Sequence, residues 1–130
     1  MLLDGPASTL LRTAAPSKSP PFLYGTAWKK DNTAPLVRSA LTAGFLAIDT
    51  AAQPRHYRED LVGQALRDAY REGGIRREDV FVQTKFTAPG GQDVRNMPYD
   101  KDARVGEQVR ASLASSFWNL RMRDEEEERG

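Results

Sequence analysis

Short apolar runs alternate with helical stripes along most of this chain. Phe22-Leu23-Tyr24-Gly25-Thr26 is an apolar run stopped by a glycine, which predicts a buried strand. Asn32 or Thr33 then caps a helix with Pro35 in its first turn, where a missing N–H does no harm. Leu36, Val37, Ala40 and Leu41 form its apolar stripe, and Gly44 ends it. Phe45 to Asp49 is a second run, closing on a carboxylate. Leu61, Val62, Ala65, Leu66 and Ala69 recur at helical spacing until Gly73-Gly74. Gly63 lies inside that stripe and costs about 1 kcal/mol against alanine, which points to close packing of this helix on the sheet. A third run, Val80-Phe81-Val82, closes with Gln83-Thr84-Lys85. Residues 86–104 show no periodicity and suit a long functional or mobile loop. Val105, Val109, Leu113, Phe117 and Leu120 make the last helical stripe.

Strand, helix, strand, helix, strand, loop, helix is the alternation of an α/β parallel sheet covered by helices. Residues 1–20, rich in Ala, Ser, Thr and Pro, read as an extended leader, and residues 21–120 carry the regular pattern. The tail, 121–130, contains the acidic run Asp124 to Glu128 and reads as a charged, solvated and disordered segment. No fourth strand follows the last helix, so the architecture is expected to stop part-way. An open edge and an unpartnered inner face would favour self-association.

Composition narrows the chemistry. At 130 residues with 39% hydrophobic positions, the chain fits one globular domain, and no apolar stretch is long enough to span a bilayer. A net charge of +1 with mixed signs gives no electrostatic reason to expect nucleic-acid binding. Zero cysteines exclude disulfides, thiolate metal sites and cysteine nucleophiles, and no metal-ligating motif such as H-E-x-x-H is present. Met1-Leu2-Leu3 is followed by Asp4-Gly5-Pro6, unlike a signal peptide, so a cytoplasmic protein is expected.

Parallel α/β sheets bind ligands at the C-terminal ends of their strands, and the candidate chemistry falls at those ends. Asp49 closes the second run and Lys85 the third. Adjacent strands lie about 4.8 Å apart, so the two side chains can meet, as a structural ion pair or as part of a site. Tyr57 sits in the loop that folds back over them. A phenol has an ordinary pKa of about 10; an ammonium tempered by a carboxylate makes such a group a tunable proton donor to a carbonyl oxygen. Tyr57 serves equally as an amphipathic residue capping the core. Trp28, after Gly25-Thr26, offers a flat wall for a substrate or a nicotinamide ring, or simply caps the core. His56, the single histidine, reads as inert.

Gly25-Thr26-Ala27-Trp28-Lys29, Ala43 through Ala51, Leu61 through Leu66 and Arg77 through Lys85 together resemble the opening motifs of the aldo-keto reductases. The resemblance implies the N-terminal part of a (β/α)8 TIM barrel, an NADP(H) cofactor and a small carbonyl substrate. It implies Asp49, Tyr57 and Lys85 as catalytic, with Thr26, Trp28 and Asp49 near the nicotinamide. Two departures stand out. The tyrosine sits eight residues after the aspartate, where the family usually has five. The family's tetrad histidine belongs to a fourth strand, so His56 cannot be that residue. A truncated, noncatalytic fragment acting through protein association is the alternative.

Overall fold

Parallel pairing of three very short strands sets the frame. The computed structural model describes the backbone of Leu11–Arg12 and Lys18–Ser19 and all of residues 20–124. Strands β1 (Leu11–Arg12) and β2 (Lys18–Ser19) pair antiparallel within the leader. The rest of the leader, 1–10 and 13–17, lies outside the described residues. Strands β3 (Tyr24–Gly25), β4 (Ala47–Asp49) and β5 (Phe81–Gln83) form a parallel sheet in the order β3-β4-β5. Helix α1 (Thr33–Thr42) connects β3 to β4 and α2 (Glu59–Glu72) connects β4 to β5. Helix α3 (Val105–Asn119) follows the 86–104 loop.

Register decides which face does what. Tyr24, Ile48 and Val82 stand abreast, as do Gly25, Asp49 and Gln83. Successive strand residues point to opposite faces. Tyr24, Ile48 and Val82 therefore meet α1 and α2 around Val37, Leu41, Val62 and Leu66, with Ile48 and Val62 fully buried. The other face carries glycine, carboxylate and amide along the strand ends. Two residues back along the strands the same face carries Ala47 and Phe81, so its polar character is confined to the C-terminal ends.

Three expectations are corrected. Neither Asn32 nor Thr33 caps α1 with its side chain. A 3₁₀ turn at Lys30–Asn32 runs straight into the helix, and the Thr33 hydroxyl donates backward to Lys30 O at 2.6 Å. The 86–104 loop is pinned rather than loose. Buried Gln92 donates to Ala52 O at 2.9 Å, and the Tyr99 ring stacks on Phe86 at 5.4 Å. Finally, α3 turns its polar side inward: Gln108, Ser112 and Ser116 are buried, whereas Val105 is 69% and Phe117 70% exposed, with Val109 and Leu113 also exposed. Ser116 meets Glu59 there at 3.1 Å, and Gln108 donates to Lys101 O at 3.0 Å and Ala103 O at 3.1 Å.

Gly63 explains how α3 approaches so closely. A Cβ at this position would stand 1.7 Å from Asn119 O. The glycine thus serves the α2–α3 contact, not the packing of α2 on the sheet. Arg67, nearly buried, donates to Asn119 O at 3.0 Å, Arg121 O at 3.3 Å and Asp124 Oδ1 at 2.9 Å. Asp124, the first residue of the acidic run, is thereby an ion-pair partner of α2. Residues 125–130 lie outside the described residues.

Candidate active site

The ladder continues past the strands and carries the site residues into line. Thr50 N donates to Gln83 O at 2.8 Å and Ala52 N to Lys85 O at 3.1 Å. Lys85 stands two residues beyond Gln83, so strand alternation puts both on the face of Asp49. Lys85 Nζ donates to both oxygens of Asp49 at 2.7 Å. Gln83 Nε2 donates to Asp49 Oδ1 at 2.8 Å. The same ammonium lies 5.1 Å from the centre of the Tyr57 ring. Amine, carboxylate and phenol therefore share one mouth of the sheet.

Asp49 is largely shielded and Lys85 half exposed, with side-chain exposures of 19% and 41%. A shielded carboxylate with two donors is stable there, because its lone pairs are met by a cation and an amide. Thr26 is fully buried, and its hydroxyl donates to Asp49 O at 2.8 Å. It therefore holds the strand end that carries Asp49. Trp28 is 66% exposed, and its ring lies tilted against His56 with centroids 4.0 Å apart. Trp28 N donates to His56 O at 2.8 Å, tying the first loop to the second.

Several participants escaped the sequence reading. Gln83 was detectable in principle, since its position two residues before Lys85 gives it the same facing. Glu59 was not. It is buried at the start of α2 and accepts hydrogen bonds from Thr84 Oγ1, Ser116 Oγ at 3.1 Å and Asn119 Nδ2 at 3.2 Å. Thr84 adjoins Lys85, so Glu59 ties that strand end to α2 and α3. A cleft of about 510 Å³ between the Ala51–Asp60 loop, Asn96–Pro98 and α3 takes in Tyr57 but neither Asp49 nor Lys85.

Arg58 clamps the loop that carries Tyr57. Its Nε and Nη2 donate to the two Asp60 oxygens at 3.0 and 2.9 Å, and its Nη1 to Asp31 Oδ1 at 2.9 Å. These bonds hold the Asp60 carboxyl below its ordinary 3.8, the Arg58 hydrogen bond being the largest cause and partial burial opposing it. A depressed folded pKa gives stability that is present above 3.8 and lost as pH falls through the lower folded value. Asp60→Asn is therefore expected to lower the urea midpoint at neutral pH. The difference from the native chain should vanish well below 3.8; a gap independent of pH would contradict the clamp.

An α/β chain with parallel strands, an ion pair at the strand ends and a phenol over it has the architecture of an incomplete β/α barrel. The chain belongs to the Aldo/keto reductase family, whose model matches residues 21–116. It is 44% identical over 68 residues to glycerol 2-dehydrogenase (NADP(+)) of Saccharomyces cerevisiae, covering 52% of this chain and 20% of that protein. It is 34% identical over 59 residues to NADP-dependent D-sorbitol-6-phosphate dehydrogenase of Malus domestica, covering 45% and 18%. The structure superposes on an aldo-keto reductase complexed with NADPH with a TM-score of 0.65 at 26% identity, covering 85% of this chain and 32% of that one. An aldo/keto reductase from Brucella melitensis gives 0.59 at 26% identity, covering 85% and 36%. The chain thus spans about a fifth of those curated relatives and a third of the solved chains. Among the described residues no helix is long and apolar enough to cross a membrane, and no cluster of potential metal ligands occurs.

Proposed function

We propose that this chain carries the proton-donating part of an NADP(H)-dependent reductase of small aldehydes or ketones. The observation that supports the reading most is Lys85 Nζ lying 2.7 Å from both Asp49 oxygens and 5.1 Å from the Tyr57 ring centre. Tyr57 gives its hydroxyl proton to the carbonyl oxygen as the carbonyl carbon accepts a hydride. The Lys85 ammonium stabilises the phenolate that remains, and Asp49 with Gln83 holds the ammonium in place.

The residues at this mouth fit the nicotinamide end of the cofactor. The exposed Trp28 indole offers a flat apolar face to the nicotinamide or the substrate. A bound dihydronicotinamide supplies the hydride. Thr26 contributes by fixing the Asp49 backbone, and no glycine-rich dinucleotide motif is present in the sequence. Titration with NADPH, followed by aldehyde-dependent loss of its absorbance, tests the proposal. Saturable binding and turnover are expected; no binding at millimolar cofactor would refute it.

A second reading is favoured by one observation, the exposed Val105, Val109, Leu113 and Phe117 on α3. Four apolar side chains along one exposed helix face suit self-association. The native chain is expected to elute as a dimer or larger species in size-exclusion chromatography. Leu113→Ser with Phe117→Ser should shift it toward monomer. A compact native monomer with strong amide protection would contradict this.

A further inference from the structure

Beside Tyr57, and distinct from the Asp49–Lys85 pair, lies a recess of about 170 Å³ whose floor and rim include Trp28, Lys30, Arg55, His56 and Arg58. Its backbone is strained. Trp28 and Lys30 sit at φ 63° and 51°, the left-handed region that non-glycine residues rarely adopt. Such outliers persist only where surrounding bonds hold them. Here Trp28 N bonds to His56 O, and Lys30 O accepts from the Thr33 hydroxyl. The strain places an indole face and an ammonium on the same rim.

The charges around the recess do not cancel. Arg58 is shared between two carboxylates, Asp60 and Asp31, the latter also lining the recess, so these three groups together carry one net negative charge. Arg55 is within electrostatic reach of Asp93, but that carboxylate is already held by Arg95 Nε and Nη2 at 3.2 Å. Lys30 and Arg55 lie exposed beside the indole and leave the recess and its partners net positive by one charge. Two exposed cations on one net-positive rim suit a phosphate, and an exposed indole face matches the C–H surface of a short polyol chain.

We propose that this recess is a phosphate subsite, and that the substrate class is a small aldehyde or ketone bearing a terminal phosphate. The carbonyl half of this statement rests on the reductase reading; the phosphate half does not. Lys30 and Arg55 take the phosphate, Trp28 lies along the carbon chain, and Tyr57 stands at the other end against the carbonyl.

The test needs neither cofactor nor turnover. The chain has two tryptophans, so Trp118→Phe leaves Trp28 as the sole indole reporter. In that background, glyceraldehyde 3-phosphate should change Trp28 emission with a Kd at least about tenfold below that of glyceraldehyde, and added salt should weaken it. Arg55→Gln and Lys30→Gln should each raise that Kd by about threefold or more, reflecting exposed charges in high dielectric. Arg76→Gln, at the opposite end of the sheet, should leave it unchanged. Equal affinity for the charged and uncharged aldehydes would overturn the subsite, as would an Arg55→Gln Lys30→Gln double variant that binds like the native chain. Inorganic phosphate binding as tightly as the phosphorylated aldehyde would show an adventitious ion only. Failure of NADPH-dependent reduction with this binding intact would count against the reductase reading alone.

Discussion

Gly63→Ala is expected to unseat the C-terminal end of α3. The new Cβ would stand 1.7 Å from Asn119 O and 2.7 Å from Asn119 C, both backbone atoms that cannot rotate aside. Relief requires α3 to retreat, which breaks the Asn119–Glu59 bond and the Arg67 bond to Asn119 O. Overpacking of this kind costs about 1–3 kcal/mol, and stranding a nearly buried arginine adds to it. Alanine's better helix propensity returns only about 1 kcal/mol. The net is destabilising, read as a lower urea midpoint. A variant more stable than the native chain would mean that propensity prevails and that α3 does not sit on Gly63.

Lys85→Met is expected to have the largest effect on turnover. It removes the cation from both Asp49 oxygens and from beside Tyr57, leaving Gln83 as the remaining side-chain donor to Asp49. Carbonyl reduction should fall by about 100-fold or more, because no group then stabilises the phenolate. Asp49 is largely shielded, so the variant should also lose stability at neutral pH. Native turnover in Lys85→Met would remove the ammonium from the mechanism.

Much of the frame was legible because it follows from local pattern. Apolar runs ending at Gly25, Asp49 and Lys85, separated by helical stripes, lead directly to three parallel strands with chemistry at their C-terminal ends. The meeting of Asp49 and Lys85 followed from strand spacing alone. Helix α3 was misread because spacing finds an apolar stripe without saying whether anything covers it. Ser116 faces inward because Glu59, distant in sequence, awaits it, while Gln108 turns back to the carbonyls of Lys101 and Ala103. Glu59 itself looks like an ordinary acid in a first helical turn. Its buried role depends on contacts 25 and 57 residues away, which no local window contains. The recess beside Trp28 was equally hidden, since positive φ at Trp28 and Lys30 runs against residue preference.

The most direct test of the site is the rate of aldehyde-dependent NADPH oxidation by the native chain and by Tyr57→Phe, with NADPH affinity measured on both. Loss of the phenolic proton should lower the rate by at least about 100-fold and leave cofactor affinity nearly intact. A Tyr57→Phe chain that reduces the aldehyde as fast as the native one would contradict the account.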